Sequence, residues 1–421
     1  MTIQITAPQL EAAADALTEV LRFQSPADGV LSAYFRSERK LGQRDRAVIA
    51  EAVYGVLRHL RRVRVAAGDA VGARKLILAW LVRFEGYSLR QLDPLLSGGE
   101  RQWLADQKAA TPPEPTLAER CDMPDWLATR LSAQRGDAAT IALADALSQP
   151  ASLDIRVNPA RIDRDAALAR LKADGIEGRP GEYSPLSIRL DRKVALQKHP
   201  LFLDGSIEVQ DEGSQLLGFL VAPRRSEMVA DFCAGAGGKT LLLGALMRST
   251  GRLYAFDVSE KRLARFRPRL ARSGLSNVHP SAIAHENDVR IKRLAGKMDR
   301  VLVDAPCSGF GTLRRNPDLK WRQDEAAVDR LHAKQLDILT AAARLVKSGG
   351  RLVYATCSLL AEENDQVVDA FLAAHPEFVE ESATEVLASQ RITLDTGARL
   401  RLDPVSHGTD GFFAAVLTRR A

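Results

Sequence analysis

The stretch Asp299-Arg-Val-Leu-Val-Asp-Ala-Pro-Cys-Ser-Gly-Phe-Gly-Thr-Leu-Arg-Arg-Asn-Pro-Asp-Leu-Lys-Trp321 joins a short apolar run to an acid, a thiol and a basic, aromatic arm. Val301, Leu302 and Val303, bounded by charge, predict a buried strand. Asp304 ends it, and Pro306 has no N–H with which to continue a ladder. Cys307, Ser308 and Gly309 then fall in a loop just beyond the carboxyl end of the strand, the edge at which open α/β sheets bind ligands. Arg314, Arg315 and Lys320, interleaved with Phe310 and Trp321, form a mixture suited to phosphates and stacked bases. The plain alternative is a buried cysteine followed by a solvated charge run.

From Val209 onward strands and helices alternate, which predicts a parallel α/β sheet. Val229 to Phe232 reads as its first strand, followed by a Gly-rich turn and a helix to Met247. Leu253 to Phe256 reads as the second and ends at Asp257, with a helix through Arg272 after it. A long amphipathic helix from Glu325 to Val346, closed by Gly349 and Gly350, leads into a strand from Arg351 to Ala355 that ends in Thr356-Cys357. The turn Cys233-Ala-Gly-Ala-Gly-Gly-Lys-Thr240 has Cys233 where a Walker A loop requires glycine, which disfavours a nucleoside triphosphatase. Gly235, Gly237 and Gly238 are too compressed for a dinucleotide fingerprint. They still admit a ligand close to the backbone, and Asp257 stands about 20 residues on, where a carboxylate takes ribose hydroxyls. S-adenosylmethionine offers an adenosine and an amino-acid tail without phosphates, so neither phosphate motif need be complete.

Pro306-Cys307 and Thr356-Cys357 follow two strands joined by one crossover helix. In a parallel sheet those ends become neighbours, roughly 5 Å apart if the strands pair directly. Two thiols beside a nucleoside site suit methylation at C5 of a pyrimidine. That carbon is a poor nucleophile until a thiolate adds to C6, and a base must then remove the C5 proton so that the thiol can leave. Two ordinary buried cysteines are the alternative.

The 421 residues are enough for two or three domains. The 46% hydrophobic and 27% charged content is that of a globular chain, and the net charge of +6 permits a polyanionic partner. Met1 to Pro8 shows neither a charged n-region nor an apolar core, and no apolar run approaches 18 residues, so neither export nor a membrane span is expected. The four cysteines form no CxxC pair and no zinc-like spacing with histidine. The expectation is a cytoplasmic chain with no metal and no disulfide framework.

Residues 6–110 read as helical. Thr6 and Gln9 can form a capping box ahead of Leu10, Ala13, Ala14, Leu17 and Leu21, and Ile49, Val53, Val56, Leu57 and Leu60 share a second face. Arg36, Arg39, Lys40, Arg44, Arg46, Arg58, Arg61, Arg62 and Arg64 face only Glu38, Asp45 and Glu51 between positions 36 and 64, an excess that fits either a solvated face or an RNA-facing patch. Thr111-Pro-Pro-Glu-Pro115 reads as a stiff linker. Leu153 to Val157, Asp165 to Ala173 closed by Gly175, and Ser187 to Leu190 read as strand, helix and strand.

These motifs, taken together, resemble an enzyme family. Asp231-Phe-Cys-Ala-Gly-Ala-Gly-Gly-Lys-Thr, Asp257-Val-Ser, Asp304-Ala-Pro-Cys-Ser-Gly-Phe-Gly-Thr-Leu-Arg-Arg-Asn-Pro-Asp and Tyr354-Ala-Thr-Cys-Ser resemble the ordered motifs of the bacterial RsmB/Fmu-type branch of the NOL1/NOP2/Sun family of RNA 5-methylcytosine methyltransferases. Val209-Gln-Asp-Glu-Gly-Ser-Gln and Asp410-Gly-Phe-Phe-Ala-Ala match as well. Leu41 to Arg58 resembles the NusB-like domain found at the start of certain bacterial rRNA methyltransferases. One departure is Ala234-Gly-Ala236, where the family usually has Ala-Ala-Pro; a softer cofactor turn is expected. The resemblance implies a Rossmann-like class I S-adenosylmethionine-dependent methyltransferase domain at 209–421. Ahead of it come a helical NusB-like RNA-binding domain at 1–110 and a linker with a small α+β, RRM-like unit at 111–208. It implies Cys357 as nucleophile, Cys307 as the thiol that assists proton removal and release, Asp304 on the cytosine N3/N4 edge, and Lys239 as helper. Cys233, Ala234, Gly235, Ala236, Gly237, Gly238, Lys239, Asp257, Asp288 and Asp304 would hold S-adenosylmethionine. Arg314 and Arg315, with Arg58, Arg61 and Arg62, would meet RNA. The expected substrate is cytosine in 16S rRNA, acted on by a monomer. Three alternatives stay open: a tRNA substrate, DNA cytosine methylation with Cys307 as nucleophile, and a ribosome-assembly factor with an inactive methyltransferase fold.

Overall fold

Which strand ends meet is decided by the sheet. The computed structural model describes residues 4–68, 72–109 and 114–421, so Thr111, Pro112 and Pro113 of the proposed linker Thr111-Pro-Pro-Glu-Pro115 lie outside the described residues. Two compact units divide the chain: Met1–Pro150 with Thr312–Glu325, and Ala151–Gly311 with Ala326–Ala421.

The second unit holds two sheets. Four short strands, β1 (Leu153–Val157), β2 (Gly178–Pro180), β3 (Ser187–Leu190) and β4 (Ile207–Val209), form an antiparallel sheet in the order β2-β3-β1-β4. Ile155, Val157, Ala167, Leu171, Ile188 and Ile207 form its core under the helix Arg164–Ala173. β2 and β4, with only three residues each, carry too little periodicity to be read from sequence.

The large sheet begins with β5 (Met228–Asp231), β6 (Arg252–Asp257), β7 (Val278–Ala282), β8 (Met298–Asp304) and β9 (Val346–Thr356), all parallel. β10 (Phe378–Glu381), β11 (Leu400–Leu402) and β12 (Phe412–Arg419) add antiparallel pairs at one edge, giving the order β10-β12-β9-β8-β5-β6-β7 with β11 on β12. The parallel strands read as continuous apolar runs because helices cover both faces: Val301, Leu302, Val303, Leu352, Val353 and Tyr354 have no exposed surface. The connections run outward in opposite directions from β5, towards β6 on one side and β8 on the other. The switch point therefore lies over the ends of β5, β6 and β8.

One boundary differs from expectation. The helix Glu325–Ala343 ends three residues early and β9 begins at Val346, because Val346 pairs with Met298 before the glycines are reached. Pairing with β8 outweighs helical periodicity there.

In the first unit, the helices Ala7–Val20, Gln43–Arg58 and Ala73–Arg83 bury Leu10, Leu17, Ile49, Val53, Leu57, Ile77 and Trp80 against one another. Gln9 accepts the Thr6 N–H at 2.9 Å, as the capping box requires. The segment Thr312–Glu325 is part of this unit, which no sequence pattern announced. Asp318 accepts the Ala27 N–H at 3.1 Å and so caps the helix Ala27–Ser37, whose own flanking residue, Pro26, has no side chain able to do so. Lys320 donates to the Arg58 carbonyl at 2.9 Å and Trp321 Nε1 to the Leu57 carbonyl at 3.2 Å, closing the end of Gln43–Arg58. An acid at a helix start and a cation at a helix end both complement the helix dipole. Lys320 is only 4% exposed, and burial pushes its ammonium down to about 8. Lys320 and Trp321 are thus internal parts of the helical unit and not a free basic, aromatic arm.

Replacing Asp318 by alanine removes this cap and is expected to destabilise the helical unit by about 1–2 kcal/mol. The readout is faster amide hydrogen exchange at the start of the helix Ala27–Ser37 in the full chain. Unchanged exchange there would remove the capping role.

Candidate active site

The turn after β5 is tied to both neighbouring strands: Phe232 N–H donates to the Leu302 carbonyl and Ala234 N–H to the Phe256 carbonyl, each at 2.8 Å. Its shape needs glycine twice. Gly237 has φ +80° and lies on the Phe266 ring, where an added Cβ would come within 1.9 Å of Cδ2. Gly235 has φ +56° and gives its N–H to Asp257 Oδ2 at 2.8 Å; a Cβ there would meet nothing nearer than the Cys233 carbonyl at 4.0 Å. Arg269 donates to the Ala236 carbonyl and Arg156 to the Gly238 carbonyl, both at 2.7 Å. These two arginines hold the turn at Ala236 and Gly238.

A cavity of about 510 Å³ opens over the turn, lined among others by Cys233 to Ala236, Gly238, Lys239, Asp257, Asp304, Cys307 and Cys357. Each is set by a strand end or the turn: Asp257 closes β6, Asp304 closes β8, and Cys357 follows β9. Asp257 accepts the Ser259 N–H at 2.7 Å and faces Arg262 at 3.0 Å.

Charge in the cavity is arranged in a chain. Lys239 Nζ lies 2.6 Å from Asp304 Oδ2. Burial works against the Lys239 ammonium, but Asp304 more than offsets it and raises the group above its ordinary range. Behind them Asp231, 1% exposed, accepts from Thr240 Oγ1 at 2.7 Å, while its Oδ1 has no hydrogen-bond partner. Burial, reinforced by the Asp304 charge and only partly countered by Thr240, pushes the Asp231 carboxyl up to about 7.

The two thiols meet. Asp304 pairs with Ala355, the Ala305 N–H donates to the Ala355 carbonyl at 2.8 Å, and the Cys307 and Cys357 sulfurs lie 3.4 Å apart. The hydrogen bond with Cys357, then burial, push the Cys307 thiol well above its ordinary range, and the charges of Cys357 and Glu363 add to this. Cys233 is raised too, by burial and then by Asp231, Asp304 and Asp257, which leaves it an inert thiol in the cavity wall.

Other expected residues stand elsewhere. Asp288 caps a short turn, accepting the Ala284 and Arg290 N–H groups at 3.0 and 2.8 Å, and does not line the cavity. Arg58 and Arg314 are each 7% exposed. Arg58 bonds Glu51 at 3.1 Å, Arg61 bonds the Met123 carbonyl and Asp125, and Arg62 bonds Asp122 at 2.6 Å. Arg315 is half-buried in the same helical unit. The exposed cations of the basic set are Arg36, Arg39, Lys40, Arg44 and Arg64. Sequence reasoning missed Glu363 and Gln335, buried behind the thiols; the signal was the repeated Cys-Ser at 307–308 and 357–358.

Among the described residues no group of three or more His, Cys, Asp or Glu could hold a metal, and no helix is long and apolar enough to cross a membrane. Residues 218–418 match the family described as 16S rRNA methyltransferase RsmB/F, and residues 123–197 match the RsmF/B-like ferredoxin-like domain. A probable ribosomal RNA small subunit methyltransferase B of Bacillus subtilis is 28% identical over 97% of this chain and 98% of its own length. Its counterpart in Synechocystis is 35% identical over 72% of this chain and 68% of its own. The crystal structure of PH0851 matches with a TM-score of 0.81 at 25% identity, covering 99% of this chain and 100% of that one. NSun6 from Pyrococcus horikoshii, solved with SFG, matches in fold with a TM-score of 0.63 at 20% identity over 71% of this chain and 98% of its own.

The raised Asp231 carboxyl has a consequence for stability. An unfolded aspartate ionises near pH 4, so between about pH 4 and 7 the native state holds a proton that the unfolded state has lost. The contribution of Asp231 is fully present below pH 4 and is lost as pH rises to about 7, at up to roughly 1.4 kcal/mol per pH unit. Urea unfolding of wild type and Asp231→Asn across this window should show the wild type losing ground relative to the variant as pH rises. A difference that stays constant with pH would mean the carboxyl is ionised throughout.

Proposed function

The chain belongs to the RsmB/F family of S-adenosylmethionine-dependent RNA methyltransferases, and from that membership we propose that it methylates C5 of a cytosine in small-subunit rRNA through a covalent Cys357–C6 adduct. The observation that carries this reading is the 3.4 Å approach of the Cys307 and Cys357 sulfurs at the ends of adjacent parallel strands.

The cavity suits the cofactor: at Gly235 a side chain would fill the cradle, and Asp257 closes it beside the turn. Cys233 to Lys239, Asp257 and Asp304 would hold S-adenosylmethionine, which supplies an electrophilic methyl group on a sulfonium. Cys357 Sγ adds to C6, and the C5=C6 electrons move into the ring, leaving C5 nucleophilic. Asp304, held by Lys239, accepts from the N4 amino group and so orients the N3/N4 edge, while the Lys239 ammonium offsets the negative charge that develops on the ring. After methyl transfer Cys307, as thiolate, takes the C5 proton. The S–C6 bond breaks, its electrons restore C5=C6, and Cys357 leaves as a thiolate next to the new Cys307 thiol. Arg36, Arg39, Lys40 and Arg44 are exposed cations of the helical unit that would be open to phosphate contact.

The test is covalent trapping. Cys307→Ala and Cys357→Ala, each incubated with S-adenosylmethionine and unmodified rRNA, are resolved under denaturing conditions. Cys307→Ala is expected to accumulate a protein–RNA adduct and Cys357→Ala to form none. The reverse would move the nucleophile to Cys307. Adduct formation on tRNA but not on rRNA would change the substrate, and no methyl transfer by wild type to either would sink the reading.

A further inference from the structure

Behind the two thiols lies a carboxylate that the chemistry above does not use. Glu363 has no exposed surface and sits in the short turn Ala361–Glu363 after β9. Four donors converge on it. Ser308 gives its N–H at 2.8 Å and its hydroxyl at 2.5 Å, Gln335 gives its amide at 3.1 Å, and Ser358 gives its hydroxyl. Ser308 and Ser358 are the residues directly after the two cysteines, and their hydroxyls lie 3.2 Å apart on this one carboxylate. Gln335 also donates to the Pro306 carbonyl at 2.9 Å, and Tyr354 donates its hydroxyl to the Glu363 carbonyl at 2.6 Å. No cation is among these partners. A buried acid held by neutral donors alone keeps its charge uncompensated, which is a poor choice for holding two loops together if shape were its only purpose.

We propose that Glu363 is a positioning residue that clamps the two thiol loops through Ser308 and Ser358 and places an uncompensated negative charge directly behind the Cys307 loop. This rests on the assignment of Cys357 as nucleophile and Cys307 as the thiol that takes the C5 proton. The groups facing Cys307 are Cys357, Glu363 and Tyr354, with Asp304, Lys239 and Lys334 in the surrounding cavity wall. In the free enzyme the Cys357 bond and charge help to keep the Cys307 proton in place. When Cys357 bonds to C6 that charge is gone, so Cys307 can release its proton to solvent. The Glu363 charge remains, and keeps the resulting thiolate a strong base for C5–H.

The experiment compares wild type, Glu363→Gln and the double variant Ser308→Ala/Ser358→Ala. Glutamine keeps the shape and can still accept and donate to the rotating serine hydroxyls; the double variant keeps the charge and loses the clamp. Alkylation of Cys307 by iodoacetamide, followed by peptide mass spectrometry from pH 6 to 11, needs neither RNA nor turnover. Glu363→Gln is expected to move its midpoint down by about one pH unit, and the double variant to leave it unchanged. In turnover, the double variant should lower kcat at least about tenfold with the KM for S-adenosylmethionine unchanged, and should accumulate the covalent adduct because the unclamped Cys307 loop no longer holds the thiol on the C5 proton. S-adenosylmethionine binding by each variant reports that the fold is intact. An unmoved Cys307 midpoint in a variant that binds cofactor overturns the proposal. If the midpoint moves but Cys307→Ala itself accumulates no adduct, the fault lies in the assignment of the thiols and not in Glu363.

Discussion

The site depends on the parallel register of β8 on β9. Asp304 lies across from Ala355, so the residues just beyond each strand, the Pro306-Cys307 loop and Cys357, leave the sheet at the same level. A slip of one residue would turn every side chain of β9 to the opposite face and carry Cys357 away from Cys307. The register is well specified because neither face is free. Val301 and Val303 pack with Leu352 and Tyr354 in one core layer, while Leu302 and Val353 belong to the other. Hydrophobic burial on both sides of the sheet thus sets a distance between two sulfurs.

That geometry also decides how charge is distributed. Three carboxylates, Asp231, Asp257 and Asp304, close three adjacent strands around one cavity. Each finds a different solution to being crowded. Asp257 is held by backbone N–H groups and Arg262, Asp304 by Lys239, and Asp231 by a carboxyl that burial shifts towards its neutral form. Lys239 places its ammonium on this set, and its charge is maintained against burial by Asp304. A lysine made neutral by substitution would leave Asp304 without its partner beside the buried Asp231.

Much of this was legible in the sequence because the parallel strands announce themselves. Val301 to Val303 and Leu352 to Tyr354 are apolar runs ending in chemically distinctive residues, and the crossover rule for parallel strands placed the two thiols together. The short strands β2 and β4 were not legible, since three residues give no period, and neither was the start of β9 at Val346, which depends on its partner Met298. Charge was the least legible feature. Lys320, Arg58 and Arg314 read as cations for a polyanion, yet each is buried, Arg58 on Glu51 and Lys320 on the Arg58 carbonyl. A basic side chain records neither where its charge points nor whether a helix end needs it.

The same segment explains why the helical unit is not separable at its apparent boundary. Asp318, Lys320 and Trp321 supply one helix start and one helix end in a unit that otherwise, outside Thr312–Glu325, runs from Met1 to Pro150. During synthesis the first 150 residues emerge with those ends unmet, and the missing partners follow only after β5, β6, β7 and β8 have been made. Domains generally fold as their chain becomes available. Here the helical unit can reach its final stability only once the strand carrying Asp304 and the loop carrying Cys307 already exist.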